Sequence, residues 1–131
     1  MSRYLMLLHG TPPASPPPPD LMEAIMALGE EATRAGVLLD SQGLAPGGVR
    51  VDLSGGRLSV TDGPFTETKE IISYAVYELR SAEEAVEWAS RFLTLHRDRW
   101  PGWEGDAEIR RVFGPEDFTP SGPAPEPPGA G

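Results

Sequence analysis

Apolar residues recur along the chain with two periods, and the changes from one to the other delimit its elements. Arg3 to His9 is a nearly unbroken apolar run bounded by Gly10, the pattern of a buried strand. From Asp20 to Ala35 the period lengthens. Leu21, Ile25, Leu28 and Ala32 recur at helical spacing, with Ala24 and Ala35 beside them. Asp20 is placed to cap this helix, with Glu23 three residues on, and Gly36 sits where a left-handed terminator belongs. Val37 to Leu39 and Leu44 suggest a short extended piece, broken at Gln42-Gly43. Val49 to Leu53 and Arg57 to Thr61 flank Ser54-Gly55-Gly56, a hairpin turn in which glycine tolerates positive φ. Asp62-Gly63-Pro64 turns the chain into a further strand, Ile71 to Leu79. Ser81 and Glu84 form a capping box for a second helix with inner face Ala82, Ala85, Val86, Ala89, Phe92 and Leu93. It ends near His96 to Arg99, before Pro101, and Ala107 to Phe113 is a last strand. The order β-α-β-β-β-α-β predicts an α+β ferredoxin-like sandwich, an antiparallel sheet with both helices on one face.

In such a sandwich only one sheet face meets helices, so each strand should alternate apolar with polar. Ile71 to Leu79 does not. Ile72, Tyr74, Val76 and Glu78 share one face; Ile71, Ser73, Ala75, Tyr77 and Leu79 share the other. In the first strand Tyr4, Met6 and Leu8 oppose Leu5, Leu7 and His9. Two apolar faces predict a second covering layer. A second copy of the sheet supplies it, so a homodimer closed face to face is expected; the alternative is a monomer with an open apolar cleft.

Proline marks the segments outside this core. Twelve of the 15 prolines fall in Thr11 to Pro19 and Pro115 to Gly131. The first reads as a stiff loop and the second as a flexible tail, giving a domain over 1–114 and a tail over 115–131. The net charge of −9 disfavours phosphate backbones and anionic lipid, so neither nucleic acid nor membrane is an expected partner. The longest apolar run, Leu5 to Leu8, is too short to span a bilayer, and the start lacks a signal-peptide pattern, so a cytoplasmic protein is expected. Ten of the 11 basic residues are arginine, a bias of GC-rich bacterial genomes. With no cysteine, two distant histidines (His9 and His96) and no glycine-rich loop opening a helix, no metal or cofactor is expected.

The most distinctive stretch is Val60 to Glu70, VTDGPFTETKE: a turn at Gly63-Pro64, an apolar plug at Phe65 and five polar residues leading into a strand. It resembles the DGPF signature of the YCII-related family. Tyr4 to Leu8, Ala35 to Leu39, Ser81 to Ala89 and Glu108 to Val112 are similar to that family's first strand, helix exit, second helix and closing strand. The resemblance implies a ferredoxin-like fold, a dimer whose sheets form a shared barrel, and association with extracytoplasmic-function sigma factors. Enzymatic relatives in the wider group, one of which eliminates chloride from an aromatic ring, are thought to use a His-Asp pair. Asp62 is the candidate for the aspartate, whereas Asp20 to Ala35 contains no histidine.

The chemistry-bearing candidates each have a structural alternative. Asp62 is a possible general acid or base, or a turn residue; His9, at the end of the first strand, could pair with it or be structural. Phe65, Lys69, Tyr74 and Arg110 are the ligand-binding candidates, Lys69 alternatively a surface ion-pair lysine. Tyr74 and Tyr77 with Trp100 and Trp103 could line an aromatic pocket, although Trp100-Pro101-Gly102-Trp103 reads as a lid over the helix end, and His96, three residues after Leu93 of the inner face, reads as a cation capping that helix at the border of the core. Three functions follow: a ligand-binding or regulatory module, a small lyase- or isomerase-like enzyme using Asp62 and His9, and a structural dimer docking through its tail.

Overall fold

The computed structural model describes residues 1–11, 15–63 and 69–118. Its elements are β1 (Ser2–Gly10), α1 (Pro19–Arg34), β2 (Leu38–Gly43), β3 (Val49–Ser54), β4 (Arg57–Asp62), β5 (Glu70–Leu79), α2 (Ala82–Arg99) and β6 (Gly105–Arg111), followed by a 3-10 turn at Pro115–Phe118. Four strands form one antiparallel sheet in the order β2-β5-β1-β6, with a separate β3-β4 hairpin. Without the hairpin, this is the β-α-β-β-α-β ferredoxin-like order.

Two strand assignments differ from the sequence reading. The short extended piece is a full edge strand, β2, pairing Asp40, Ser41, Gln42 and Gly43 with Val76, Ala75, Tyr74 and Ser73 of β5. Every β2 residue after Leu38 is exposed, so its pairing leaves no hydrophobic pattern to read. The more strand-like hairpin lies outside the main sheet. Gly55 and Gly56 both have positive φ (58° and 75°), as a two-residue turn of matching twist requires, and Ser54 pairs with Arg57 across it.

The first helix begins at Pro19 with Pro18 as its cap, and no side chain caps it, contrary to the role expected of Asp20. Proline suits the first helical position because its fixed φ is already helical and its missing N–H has no partner there. The Leu21 and Met22 N–H groups both donate to the Pro18 carbonyl, leaving Asp20 to favour the positive end of the helix from within the first turn. Gly36 terminates the helix as expected: its φ is 77°, and the Val37 N–H donates back to Ala32. Ser81 caps α2, accepting from the Glu84 N–H at 3.3 Å.

Both helices cover one face of the sheet. Tyr4, Met6, Ala75, Tyr77 and Leu79 form the core with Ala32 of α1 and Ala85 and Ala89 of α2. The buried stripe of α2 is Ala85, Ala89 and His96, with Phe92 half-buried, whereas Ala82 and Val86 are exposed. A β-bulge between Leu8 and His9 shifts the register with β5, pairing His9 with Ile71. It separates Ile72 from the Tyr74–Val76–Glu78 face assigned by simple alternation, and Ile72 lies against Gly10 on the helix side.

The opposite face carries Leu5 and Leu7 opposite Val76 and Tyr74. Beyond β6, Asp117 makes a fork with Arg111 (2.9 and 3.1 Å), and Phe118 stacks edge-on against Phe113 at 5.3 Å. The stretch expected to be a flexible tail from Pro115 therefore starts with a tethered turn; its residues 119–131 lie outside the described residues. Among the described residues no helix is long and apolar enough to cross a membrane.

Candidate functional site

The two helices are fastened to each other: Arg91 of α2 forks onto the Glu31 carboxylate of α1 at 2.6 and 2.7 Å, holding that carboxyl below its usual range. Helix α1 also packs closely on edge strand β2, but not on the central strands β1 and β5. The gap is a cavity of about 430 Å³. Leu21, Ile25 and Leu28 of α1 form one wall, Met6, Leu8 and Ile72 of the sheet the other, and Phe92, His96, Trp100 and Trp103 line it from α2 and the segment that follows. Among the described residues few polar ones border it: Ser41, Gln42, Ser73, Tyr74, Tyr77 and His96, with the Tyr74 hydroxyl turned away to Asp40 on the open face.

The Trp100-Trp103 segment is built by its turn. The Trp103 N–H donates to the Trp100 carbonyl at 3.1 Å, Pro101 holds the second position, and Gly102 takes the third with φ 84°, the geometry of a type II turn. The turn brings the two indoles to 6.3 Å, nearly parallel. Trp103 then lies over Gly10 and Gly105, which face each other across β1 and β6. A methyl group on Gly105 would collide with both the Trp103 ring and the His9 carbonyl. As expected, the segment folds over the helix end, where it also walls the cavity.

His96 is only 4% exposed. Its Nδ1 lies 2.9 Å from the Phe92 carbonyl, which can only accept, so Nδ1 carries the proton. The ring contacts Phe92 edge-on at 4.8 Å and Trp103 at 4.5 Å. Burial pushes its pKa below the ordinary 6.5, and the Phe92 carbonyl opposes that shift only in part. His96 is therefore a neutral group of the cavity wall, not the helix-capping cation expected from sequence.

A second polar group of residues lies on the open face. His9 Nδ1 is 3.2 Å from Asp106 Oδ2, and its Nε2 is 3.7 Å from Glu108 Oε1. Lys69 Nζ donates to Asp106 Oδ1 at 3.1 Å. That hydrogen bond, with the charge of Lys69 and a smaller contribution from His9, holds the Asp106 carboxyl below its usual range. Nearby, the Tyr74 hydroxyl donates to Asp40 at 2.8 Å, which raises its pKa, and Arg110 reaches Glu108 at 3.2 Å.

The sequence candidates are thus distributed over several places. His9 and Lys69 converge on Asp106, an acid the sequence reading did not single out. Asp62 is at the end of the hairpin, exposed and opposite Val49, and it is not the carboxylate that His9 meets. Arg110 lies on the open face opposite Leu5; Phe65 lies outside the described residues. Of the described candidates only Tyr74 is among the residues bordering the cavity, and its hydroxyl is turned to Asp40 on the open face. The spacing of His96 from Leu93 placed it at the border of the core but not in a cavity, although positions 85, 89, 92 and 96 follow the helical repeat and put the imidazole on the buried stripe itself. Among the described residues no cluster of histidine and acidic side chains is arranged to hold a metal ion.

A search of curated proteins finds no match. The family model of the YCII-related domain matches residues 2–94, which takes in the resemblance through α2 but stops short of His96, the tryptophan turn and β6. With more than two thirds of its length matched, the chain belongs to the YCII-related domain family.

Proposed function

We propose that the protein binds a small, largely apolar molecule in the cavity beneath α1 and acts as a binding or regulatory protein. The cavity itself carries this reading: about 430 Å³ of mostly apolar wall with a few convergent polar groups is the form of a small-molecule site. The enzyme reading has weaker support. Its expected pair does not form: Asp62 is exposed at the hairpin end, and His9 meets Asp106 instead, where the ion pairs of Asp106 with His9 and Lys69 account for the geometry.

The binding unit is a homodimer in this proposal. Leu5, Leu7, Val76 and Tyr74 lack a covering layer, and the hairpin adds a second apolar surface. Val49, Val51, Leu53, Leu58 and Val60 share one hairpin face, each 63–73% exposed, while Arg50, Asp52, Ser59 and Thr61 share the other. A second copy buries both surfaces by the same two-fold operation. The family resemblance adds an extracytoplasmic-function sigma factor as the partner through which such a regulator would act.

The test is binding of 2-methoxynaphthalene, an apolar bicycle that fits the volume. It would bury on the order of 200 Å², worth about 5 kcal/mol before the cost of lost freedom, so affinity near the millimolar range is expected. Thermal shift and titration calorimetry should detect it. Ile25→Trp, which fills the cavity from the half-buried face of α1, should abolish it while circular dichroism stays unchanged. Absence of binding by this ether and by its hydroxyl analogue 2-naphthol, or binding indifferent to Ile25→Trp in a folded variant, would overturn the proposal.

A further inference from the structure

The His96 ring has one nitrogen committed and one free. Nδ1–H is held by the Phe92 carbonyl, and Nε2 has no hydrogen-bond partner among the described residues. No side-chain polar atom sealed from solvent is left unpaired in the described structure, so Nε2 borders open space, and the space His96 lines is the cavity. Since the proton is on Nδ1, the neutral ring presents a lone pair at Nε2. A ligand atom meeting it must donate. Among the described residues the walls include no lysine, arginine, aspartate or glutamate, so nothing there would pair with a carboxylate or an ammonium. Phe92, Trp100 and Trp103 surround this end of the cavity with flat aromatic surface, which favours a planar body.

We infer that the ligand is a neutral, ring-containing molecule whose hydroxyl or N–H donates to Nε2 of His96. The inference rests on the cavity's being the binding site and adds the chemical class it takes. Its acceptor, His96, and the two tryptophans beside it lie outside the stretch matched by the family model.

Three probes of one shape test it: 2-naphthol with a donor, 2-methoxynaphthalene without one, and the anion 2-naphthoate. Calorimetry should show the naphthol bound about tenfold more tightly than the ether, the scale of one buried hydrogen bond plus the cost of leaving its acceptor unmet. The naphthoate should show no detectable binding. In His96→Phe, which keeps the ring and removes the acceptor, naphthol and ether should bind alike. Long-range ¹H–¹⁵N spectra of the unmodified protein give a second readout that needs no variant. The Nε2 resonance should start as an unprotonated nitrogen and move on adding naphthol but not the ether. Equal binding of naphthol and ether, tight naphthoate binding, or an unmoved Nε2 signal would overturn the donor assignment while leaving the cavity proposal standing. Failure of all three probes to bind would overturn the cavity proposal itself.

Discussion

His96 combines two demands at one position: it fills core space on α2 and keeps a polar atom toward the cavity. Because its folded form is neutral, its stabilising contribution is complete above the ordinary imidazole value of 6.5 and is lost as pH falls below it, where the unfolded chain takes up the proton first. Denaturant midpoints compared at about pH 8 and about pH 5 should therefore fall more steeply for the wild type than for His96→Phe. Equal slopes would show that His96 is not held neutral. Gly105 makes a different demand, for space. Any side chain there meets the His9 backbone and the Trp103 ring, so Gly105→Ala should cost roughly 1–3 kcal/mol in urea unfolding and shift the Trp103 fluorescence. An unchanged midpoint would mean that the indole does not lie on the glycine pair.

The elements differ in how openly their sequences announce them. Helix α2 is legible at both ends, from the Ser81 cap to the Trp100-Pro101-Gly102-Trp103 turn, because each signal is local hydrogen bonding or a fixed φ. Strand β2 is hidden, since an exposed edge strand is held by backbone bonds to β5 and leaves no apolar alternation. The bulge at Leu8/His9 is hidden for a related reason: it exists only in the pairing of two strands distant in sequence. The 3-10 turn at Pro115–Phe118 was likewise obscured by the surrounding proline and glycine. Truncation after Gly114 removes the Asp117 fork and the Phe118 ring, and should lower Tm relative to truncation after Phe118. Identical melting curves would show that the turn does not steady β6.

For the whole molecule, the decisive quantity is the apolar surface that a single chain leaves uncovered. Leu5 and Leu7 on the open face, with the hairpin's Val51, Leu53, Leu58 and Val60, are together more than scattered surface hydrophobes. Light scattering should report a dimer. Leu5→Glu places a charge opposite Val76 on that face and should yield monomers with unchanged circular dichroism. A wild-type monomer at micromolar concentration would remove the case for the face-to-face pair.

The amino-acid order alone determined the helices, the hairpin turn, the antiparallel α+β architecture and the family, because each depends on periodicity, caps or a contiguous motif. It also showed that β1 and β5 are apolar on both sides. Only the tertiary structure decided which acid meets His9, since Asp106 reaches it through the register of β1 with β6, 97 residues apart along the chain. It likewise decided that the opening lies under α1. A cavity is the space left where α1 rests on α2 and β2 with its backbone held off β1 and β5, and that separation belongs to no single segment of the sequence.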